Sequence, residues 1–411
     1  RGSRAIDHDS RPDIWFGRMR SLSAGSRALQ NARLGRSLRQ SFRLQRAEKS
    51  TAVSMKESAT ALSFEYDEHD LLAGCRLLEQ PHSERPRVVD MLTGQYVEAS
   101  NDLLGRELPN VDLTQDFTME DLATIHQASD AAGGILVFSN QKPDMTVHDH
   151  VRYARAMDAY CRAIGHGTGL ELSVAKPAYP DAPEILEIVR EPTADVTFGE
   201  NWHSDHSFHE FTCSFSILRG VVTPRHGVND TLFSSTADAF DALTPTMQNL
   251  LLDLNLYHSA NRAYGQGHEG NSLAAMKRTR SMELRDDLEI TNYDVLHPLV
   301  VVHPTTGRKT LFGSPTFSTR IDGMHEDESK AILKFVYDWI ARPEFCTRVS
   351  WKPNQVVMWD NRLLSHKGLA DDVSERRVMH RVSLRGSRPQ NHRGESFSEA
   401  GKIDASMAGL F

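Results

Sequence analysis

The 411-residue sequence has few cysteines, no excess of positive charge and no long apolar run. Its four cysteines form no C-x-x-C pair, which argues against a disulfide-rich scaffold or a zinc ribbon and predicts a reducing, intracellular location. A formal net charge of −8 disfavours nucleic-acid binding, because phosphate binding usually needs surplus lysine and arginine. No stretch approaches the roughly 18 to 20 apolar residues of a membrane-spanning helix. We therefore expect a soluble protein without nucleic-acid or membrane partners.

Glycine-rich phosphate loops are also missing after the predicted strands, which excludes the Rossmann and P-loop folds. With 39% hydrophobic and 25% charged residues, the composition is that of an ordinary globular protein. Helices and several short strands are mixed along the chain. An antiparallel sandwich or barrel with added helices is the most economical fold for this pattern.

The first 50 residues differ in composition from the rest. Eight arginines lie between Arg18 and Arg46, among serine and leucine, and no acidic residue falls between Asp13 and Glu48. Such a segment cannot build a core. Its composition is typical of an organelle transit peptide and equally of a disordered basic tail, so the protein is expected in the cytoplasm or, with a transit peptide, in a mitochondrion or plastid.

Capping and turn signals predict the main helices and strands. Thr118 and Asp121 mark a helix start, and Gly133-Gly134 end that helix before a buried strand. Pro343 ends the last helix. The predicted helices are 118–132, 146–164, one from 236 onward and 326–340, and the predicted strands are 135–138, 299–302 and 356–359.

The most specific motif is Asn-Trp-His-Ser-Asp-His at 201–206. We interpret it as an extended strand, in which alternate side chains share a face, so that His203 and Asp205 point the same way. Such a pair can bind one metal ion if a third ligand comes from elsewhere, as in two-histidine, one-carboxylate iron sites. A polar strand edge with a solvated histidine would give the same pattern.

A second motif supplies a candidate third ligand and two arginines. A predicted strand reaches His366, a turn covers 368–372, and a second strand runs through Arg377 and Arg381, so we interpret the region as a hairpin. Alternation places both arginines on one face. Buried arginines are costly unless anions pair with them, which predicts two anion sites beside a metal. Arginines that face solvent or pair with nearby aspartates are the alternative.

From about Leu108 to Arg393, the sequence resembles the taurine and 2,4-dichlorophenoxyacetate dioxygenase family of Fe(II)/2-oxoglutarate-dependent oxygenases. The motifs occur in the family's order. They are NWHSD at 201–205, Asp230-Thr231 at the end of a GGDT-like turn, HPLVVVHPTTGRKTLF at 297–312, FSTRI at 317–321, WDNR at 359–362 followed by His366, and RRVMHR at 376–381.

The resemblance implies a mainly β fold: a double-stranded β-helix, jelly-roll-like and of the cupin type, with helical insertions. It implies Fe(II), with 2-oxoglutarate as co-substrate and O2, and hydroxylation of a small molecule with release of succinate and CO2. The implied metal ligands are His203, Asp205 and His366. Arg377, assisted by Thr231, is expected to bind 2-oxoglutarate.

Substrate contacts follow from the resemblance with some departures. Arg381 matches the arginine that holds the acidic group of the substrate, Lys176 aligns with a pocket histidine, and Phe208 is a candidate for the pocket wall. The asparagine that binds taurine falls on Gly199, and the GGDT-like turn here contains Asn229. We therefore expect a small anionic substrate other than taurine: a sulfonate, a sulfate ester or a carboxylate.

The resemblance also divides the chain. We expect a disordered basic segment at 1–60, an extension of unknown role at 61–105, the dioxygenase domain at 106–395 and a tail at 396–411. Members of the family often form homo-oligomers, so a homo-oligomer is one expectation here.

Two other functions fit parts of the sequence. A zinc hydrolase would use His203 and Asp205 with His206 or His209 to activate water, although it leaves Arg377 unexplained. A metal- or anion-binding module would have kept the fold and lost turnover. In a strand, His206 points away from His203, so we expect His206 and His209 to be surrounding or surface groups rather than ligands.

Overall fold

The computed structural model describes residues 104–172, 175–192, 199–264 and 293–397, together with the short strands at 76–77, 87–89, 96–98 and 401–402. The predicted basic segment 1–60 lies outside the described residues, as do most of the extension 61–105 and most of the tail 396–411. The domain boundaries at 106 and 395 stay predictions. None of the described helices is long and apolar enough to span a membrane.

The largest sheet contains eight strands. In order across the sheet they are β1 (Arg76–Leu77), β4 (Arg106–Glu107), β5 (Ile135–Phe138), β16 (Val356–Asp360), β8 (Cys213–Val222), β18 (Arg377–Arg385) and β6 (Gly169–Glu171), and β7 (Leu186–Arg190) also pairs with β18. Every pairing is antiparallel except that of β4 with β5.

A smaller sheet packs against the large one. Its strands are β15 (Cys346–Val349), β9 (Thr231–Ser235) and β17 (Leu364–Gly368), paired antiparallel in that order. One apolar core joins the two sheets, because Val357 and Met379 of the large sheet share it with Phe233 and Leu364 of the small sheet. This sheet-on-sheet arrangement produces the interior in which the predicted site residues lie.

Strand β5 shows why the large sheet is covered on both faces. Its four residues are all buried, and side chains alternate between two cores. Ile135 and Val137 face the interior between the sheets, whereas Leu136 and Phe138 face a core built with two helices. A continuous apolar run is therefore the expected sequence for this strand.

The helices α1 (Met119–Ala131) and α2 (Val147–Ala163) cover the outer face of the large sheet. Thr118 and Thr146 each cap their helix through a reciprocal pair of bonds with the third residue of the helix, Asp121 or Asp149. These helices and the one at Glu326–Ile340 confirm the predictions from sequence.

The remaining elements belong to neither of these sheets, and some of them build a third core. They are β10 (Asn255–Ser259), β11 (Tyr293–Pro298), β12 (Val300–Val302), β13 (Lys309–Leu311), β14 (Ser318–Ile321), α3 (Thr236–Asp241), α4 (Pro245–Leu252), α5 (Ala260–Tyr264), α6 (Glu326–Ile340), a 3-10 turn (Pro343–Phe345) and the short strands β2 (Arg87–Val89), β3 (Tyr96–Glu98) and β19 (Gly401–Lys402). Of these, α3, α4 and α6 pack with β10, β12 and β13.

Two predictions differ from the structure, and a third agrees with it. The helix expected from Thr236 is two helices, because Pro245 starts the second one at a position where its missing N–H costs nothing. The strand expected at 299–302 is confirmed as β12, and Leu299 is the bend that separates it from β11. The expected hairpin was wrong, since β17 pairs with β9 in the small sheet whereas β18 pairs with strands of the large sheet.

Candidate functional site

Two backbone hydrogen bonds bring His203 and His366 together although they are far apart in sequence. The His203 N–H donates to the His366 carbonyl at 3.0 Å, and the His366 N–H donates to the His203 carbonyl at 2.8 Å. This isolated antiparallel bridge places the two imidazole centroids 4.2 Å apart. The site is thus fixed by main-chain geometry before any ion binds.

Asp205 completes a group of three buried side chains, His203, Asp205 and His366, here called the interior triad. Asp205 Oδ1 lies 3.7 Å from His203 Nε2, and Oδ2 lies 3.8 Å from His366 Nε2. One ligand atom from each residue lies within 4.8 Å of the others. Small adjustments would bring all three to one ion, because metal–ligand distances of about 2 Å imply ligand separations slightly above 3 Å.

The extended strand expected through His203 and Asp205 was wrong. Only His203 forms a bridge, and a turn begins at Asp205. His206 then adopts a left-handed φ of 50°, which is uncommon for a residue other than glycine. The convergence of His203 and Asp205 therefore comes from a bridge followed by a turn rather than from strand alternation.

Hydrogen bonds hold the carboxylate of Asp205 in place. Oδ1 accepts a bond from Arg381 Nη1, and Oδ2 accepts one from Ser216 Oγ, both at 2.6 Å. The Asp205 N–H donates to Asn361 Oδ1 at 3.0 Å. Burial alone would raise the pKa of Asp205, but Arg381 and the imidazoles hold it well below its ordinary value, so the carboxylate stays ionised.

The imidazoles are in the state that a metal requires. Burial lowers the pKa of His203 and lowers that of His366 further, so both rings are neutral at physiological pH. His203 Nδ1 lies 2.7 Å from the Asn201 carbonyl, which fixes the N–H on Nδ1 and leaves Nε2 as the free electron-pair donor. Two neutral imidazoles and one carboxylate are a donor set that fits Fe(II).

Arg377 lies at the start of β18, buried in the same interior. Its Nε has no hydrogen-bond partner, and its guanidinium carbon lies 5.9 Å from the centroid of the Trp351 ring. Burial and the neighbouring Arg190 lower the pKa of Arg377 to about 10. Thr231 is also buried, and its Oγ1 accepts a bond from Trp351 Nε1 at 3.1 Å. A buried guanidinium with an unused donor is a strong attraction for an anion.

Arg381 and Phe208 lie beside the triad. Arg381 contacts Asp205 directly, and its Nε is buried without a hydrogen-bond partner. The Phe208 ring is buried 4.9 Å from Phe317, whose ring lies 6.3 Å from that of His203. Lys176 is exposed and follows Ala175, which packs in the same core as Phe208.

Gly199 explains one departure from the family's pattern. It has a φ of 80°, and a Cβ added there would lie 3.2 Å from His203 Cε1. A larger residue would thus press on a candidate metal ligand unless the ring moved. Glycine leaves room for the imidazole, and it removes the amide that a taurine pocket would contain.

His206 and His209 form a separate group with Glu171, here called the outer cluster. The zinc-hydrolase hypothesis placed His206 or His209 at one ion with His203 and Asp205. The structure instead gives them a different carboxylate, and His209 Nε2 lies 3.7 Å from Glu171 Oε1. The described residues therefore contain two groups of two histidines and one carboxylate.

Asp130, His303 and Asp360 form a third group of possible ligands, in which His303 and Asp360 are held by hydrogen bonds. His303 Nε2 lies 3.0 Å from Asp360 Oδ2, and His303 Nδ1 accepts bonds from the N–H and hydroxyl of Thr306. Asp360 also accepts bonds from Arg362. These hydrogen bonds hold the His303 ring and the Asp360 carboxylate in fixed positions.

A profile described as "Taurine catabolism dioxygenase TauD, TfdA family" matches residues 94–383, which is more than half of the chain. The chain belongs to the TauD/TfdA family. The resemblance inferred from the motifs is confirmed.

The curated relatives of this chain carry several different names. The "Alpha-ketoglutarate-dependent sulfonate dioxygenase" of Saccharomyces cerevisiae is 28% identical over 298 residues, 70% of this chain and 66% of that protein. The "Alpha-ketoglutarate-dependent sulfate ester dioxygenase" of Pseudomonas putida is 28% identical over 289 residues, 70% of this chain and 88% of that protein. The "Alkylsulfatase" of Acinetobacter baylyi is 30% identical over 186 residues. That match spans only 56% of the Acinetobacter protein and 45% of this chain.

A solved structure shows the same fold. The crystal structure of a taurine dioxygenase from Burkholderia xenovorans has a TM-score of 0.56 and 25% sequence identity, covering 73% of this chain and 94% of that one. The predicted mainly β fold with a jelly-roll-like core and helical insertions is confirmed.

The sequence did not point to several residues that support the triad. Ser216 donates to Asp205, and Asn361 Nδ2 donates to Ser216 Oγ at 3.0 Å. Trp359 Nε1 donates to Asn361 Oδ1 at 3.1 Å. Asn361 belongs to the WDNR motif, which was the one signal that could have identified it. Ser216 lies in an apolar strand without any distinguishing pattern.

Proposed function

We propose that the protein is an Fe(II)- and 2-oxoglutarate-dependent dioxygenase that hydroxylates a small anionic molecule and releases succinate and CO2. The observation that carries the proposal is the combination of the interior triad with two buried arginines on one strand. Arg377 and Arg381 each keep a buried Nε without a hydrogen-bond partner. A metal site alone would not require them, whereas a dicarboxylate and an anionic substrate would.

His203, Asp205 and His366 would hold the iron. Three protein ligands on one side of the ion leave positions open for other ligands. When bound, Fe(II) would supply the sites for the keto acid and O2 and would activate O2, which is the oxidant for both the keto acid and the substrate. The protein's part is to position both organic molecules and to keep water away from them.

Arg377 is the group we assign to the far carboxylate of 2-oxoglutarate. A guanidinium is planar and can donate two parallel bonds to a carboxylate, and these bonds are strongest where water is excluded. Thr231 would donate its hydroxyl proton to the same carboxylate while its oxygen keeps the bond from Trp351. A bound anion would offset the burial and the repulsion by Arg190 that lower the pKa of Arg377.

Arg381 is the group we assign to the anionic end of the substrate. It already bonds Asp205 through Nη1, so a substrate anion held by its other donors would lie next to a metal ligand. The relatives named for sulfonates and sulfate esters act on anions, which agrees with this assignment. The substrate class is therefore a sulfonate, a sulfate ester or a carboxylate.

Aromatic side chains supply the apolar part of the pocket. The rings of Phe208, Phe317 and Tyr264 are mutual neighbours, with centroids 4.9 to 6.2 Å apart. Burial raises the pKa of Tyr264 to about 12, so its phenol stays neutral. These rings favour a substrate with a hydrocarbon segment beside its charged group.

The exposed Lys176 is kept as a candidate for substrates that reach beyond Arg381. A shorter anion would not involve it.

The experiment is a substrate screen by succinate release. The protein is loaded with Fe(II) and supplied with 2-oxoglutarate, O2 and a panel of alkyl sulfonates, alkyl sulfate esters and carboxylates, with matched neutral alcohols as controls. We expect at least one anion to raise the succinate rate well above the rate without substrate. A rate that no anion raises would contradict the proposal and favour a metal- or anion-binding module without turnover.

Two variants separate the roles of the arginines. Arg377→Gln should raise the KM for 2-oxoglutarate by about 100-fold or more, because two charge-assisted bonds of about 1.5 to 3 kcal/mol are lost. Arg381→Ala should impair stimulation by the substrate, while slow succinate formation without substrate survives. Equal abolition by both variants would contradict this division of roles.

A further inference from the structure

The outer cluster, Glu171, His206 and His209, has the ligand spacing of the interior triad. One ligand atom from each residue lies within 4.8 Å of the others, as in the triad. The separation of 3.7 Å between Glu171 Oε1 and His209 Nε2 equals that between Asp205 Oδ1 and His203 Nε2. The two groups also share the same composition, two imidazoles and one carboxylate.

A turn presents the two histidines together. The His209 N–H donates to the His206 carbonyl at 3.1 Å, and the rings are stacked 5.7 Å apart with 13° between their planes. His206 is 6% exposed, and its Nδ1 is buried without a hydrogen-bond partner. A buried ring nitrogen in this state is costly unless a ligand or an ion satisfies it.

Glu171 keeps one carboxylate oxygen available. Arg385 Nε donates to Oε2 at 2.7 Å, whereas Oε1 is the oxygen that faces His209. The residue is held in β6, where it is the backbone partner of Ser383. A guanidinium bonded to the second oxygen orients the carboxylate, as the partners of metal ligands commonly do. The site also has an entry path, because the His209 side chain is 42% exposed.

We propose that Glu171, His206 and His209 bind a second divalent cation of the zinc class, separate from the iron of the interior triad. Imidazole and carboxylate ligands suit Zn(II), and two histidines with one glutamate leave a fourth position for water. The site does not require the proposed dioxygenase reaction, because its ligands belong to neither the triad nor the 2-oxoglutarate site. The alternative is a cluster of hydrogen-bonded side chains that binds no ion.

The test is a count of bound metal in four proteins. Metal-free protein is equilibrated with Zn(II) by dialysis at neutral pH, and bound zinc per chain is measured for wild type, His209→Ala, His366→Ala and the double variant. We expect each single variant to bind one zinc fewer than wild type and the double variant two fewer. Equal zinc content in wild type and His209→Ala would overturn the proposal.

Two controls keep the result specific. His226→Ala removes another exposed histidine that belongs to neither group and should leave the count unchanged. Glu171→Gln removes the carboxylate and should lower the count by one, like His209→Ala. Because His209 is partly exposed, its variant should keep the melting temperature of the metal-free protein, which excludes misfolding as the cause.

A spectroscopic measurement supplies a second readout. Co(II) bound by two imidazoles and a carboxylate gives visible absorption bands that report its coordination. In the His366→Ala background, in which the triad is incomplete, we expect these bands to persist and to disappear when His209→Ala is added. Bands that are the same with and without His209 would also overturn the proposal.

Discussion

The interior triad and the outer cluster offer the same three ligand groups but are held differently. In the triad, a backbone bridge joins the two histidines, and every ligand is buried. In the outer cluster, both histidines belong to one turn, and His209 is partly exposed. The comparison shows that the type of ligand does not alone set the affinity for a metal ion. The free energy needed to order the ligand side chains also contributes. We expect tight binding in the triad and weaker, exchangeable binding in the outer cluster.

The largest effect is expected when the triad loses its carboxylate, Asp205. Asp205→Ala should lower Fe(II) affinity by more than about 100-fold and abolish succinate formation, because it removes a ligand and not merely a residue that orients one. Glu171→Gln, the matched change in the outer cluster, should leave Fe(II)-dependent succinate formation within about twofold of wild type. Anaerobic dialysis and succinate assays measure both. The reverse pattern would show that the iron site has been assigned to the wrong cluster.

A smaller effect is expected when the support of the triad is weakened. Ser216→Ala removes the bond to Asp205 Oδ2 and should lower Fe(II) affinity by about 10- to 100-fold. Ser214→Ala is the matched control, because Ser214 is on the same strand but donates to the Leu384 carbonyl. Similar losses in both variants would mean that the strand, rather than the hydrogen bond, is responsible.

The turn before Thr231 lies apart from both clusters and should affect only 2-oxoglutarate. Asn229 has a left-handed φ of 55°, and its side-chain oxygen accepts a bond from Arg190 Nη1 at 2.9 Å. Its amide also donates to the Asp372 carbonyl. Asn229→Gly keeps the backbone conformation but removes these bonds, so the KM for 2-oxoglutarate should rise by about tenfold or less.

Asn229→Ala is the control for the backbone at this turn. Alanine in a left-handed conformation costs about 1 to 2 kcal/mol, so this variant should lose stability in addition. The affinity for Fe(II), measured by titration, should be unchanged in both variants. A KM for 2-oxoglutarate that is unchanged in Asn229→Gly would show that the side chain does not help to position Thr231 or Arg377.

The smallest expected effect is on the stability of the metal-free protein at low pH. Without metal, the measurement reports unfolding and not loss of the ion. His150 belongs to neither cluster, and burial, with the neighbouring charges of His380 and Arg219, lowers its pKa to about 3. In the unfolded chain, the His150 imidazole takes up a proton near pH 6.5. Its contribution to the free energy of unfolding is therefore fully present above that pH and is lost as the pH drops toward the folded-state pKa of about 3.

His150→Gln can keep the donation to the Ile217 carbonyl without titrating. Between pH 7 and 4, the melting temperature of the metal-free variant should fall by a few degrees less than that of wild type. Identical pH profiles would contradict a contribution from this histidine.

The sequence predicted what depends on local signals. Thr118 and Thr146 identify helix starts because a capping box is complete within four residues. The pairing of strands depends on segments that are distant in sequence, and for this reason the predicted hairpin through His366 and Arg377 was wrong. Arg377 and Arg381 are nevertheless both buried, which agrees with their predicted place on one face of the strand. The turn at Asp205 had no local signal, since its left-handed residue is a histidine rather than a glycine.

The residues of the candidate site could be predicted where they belong to a motif of the family. The structure brings His203, Asp205 and His366 together, and their roles, with those of Arg377, Thr231, Arg381, Lys176 and Phe208, stay predictions. The outer cluster was not predictable, because Glu171 comes from a separate edge strand and carries no motif. Homo-oligomerisation and the cellular compartment also stay predictions.

The most direct test of the central claim is an anaerobic titration of iron-loaded protein with 2-oxoglutarate, followed by visible absorption. A keto acid chelated to Fe(II) gives a weak charge-transfer band. We predict one such complex per chain in wild type and in His209→Ala, and none in His366→Ala. A band that survives in His366→Ala, or that wild type never develops, would contradict the assignment of the interior triad as the iron site.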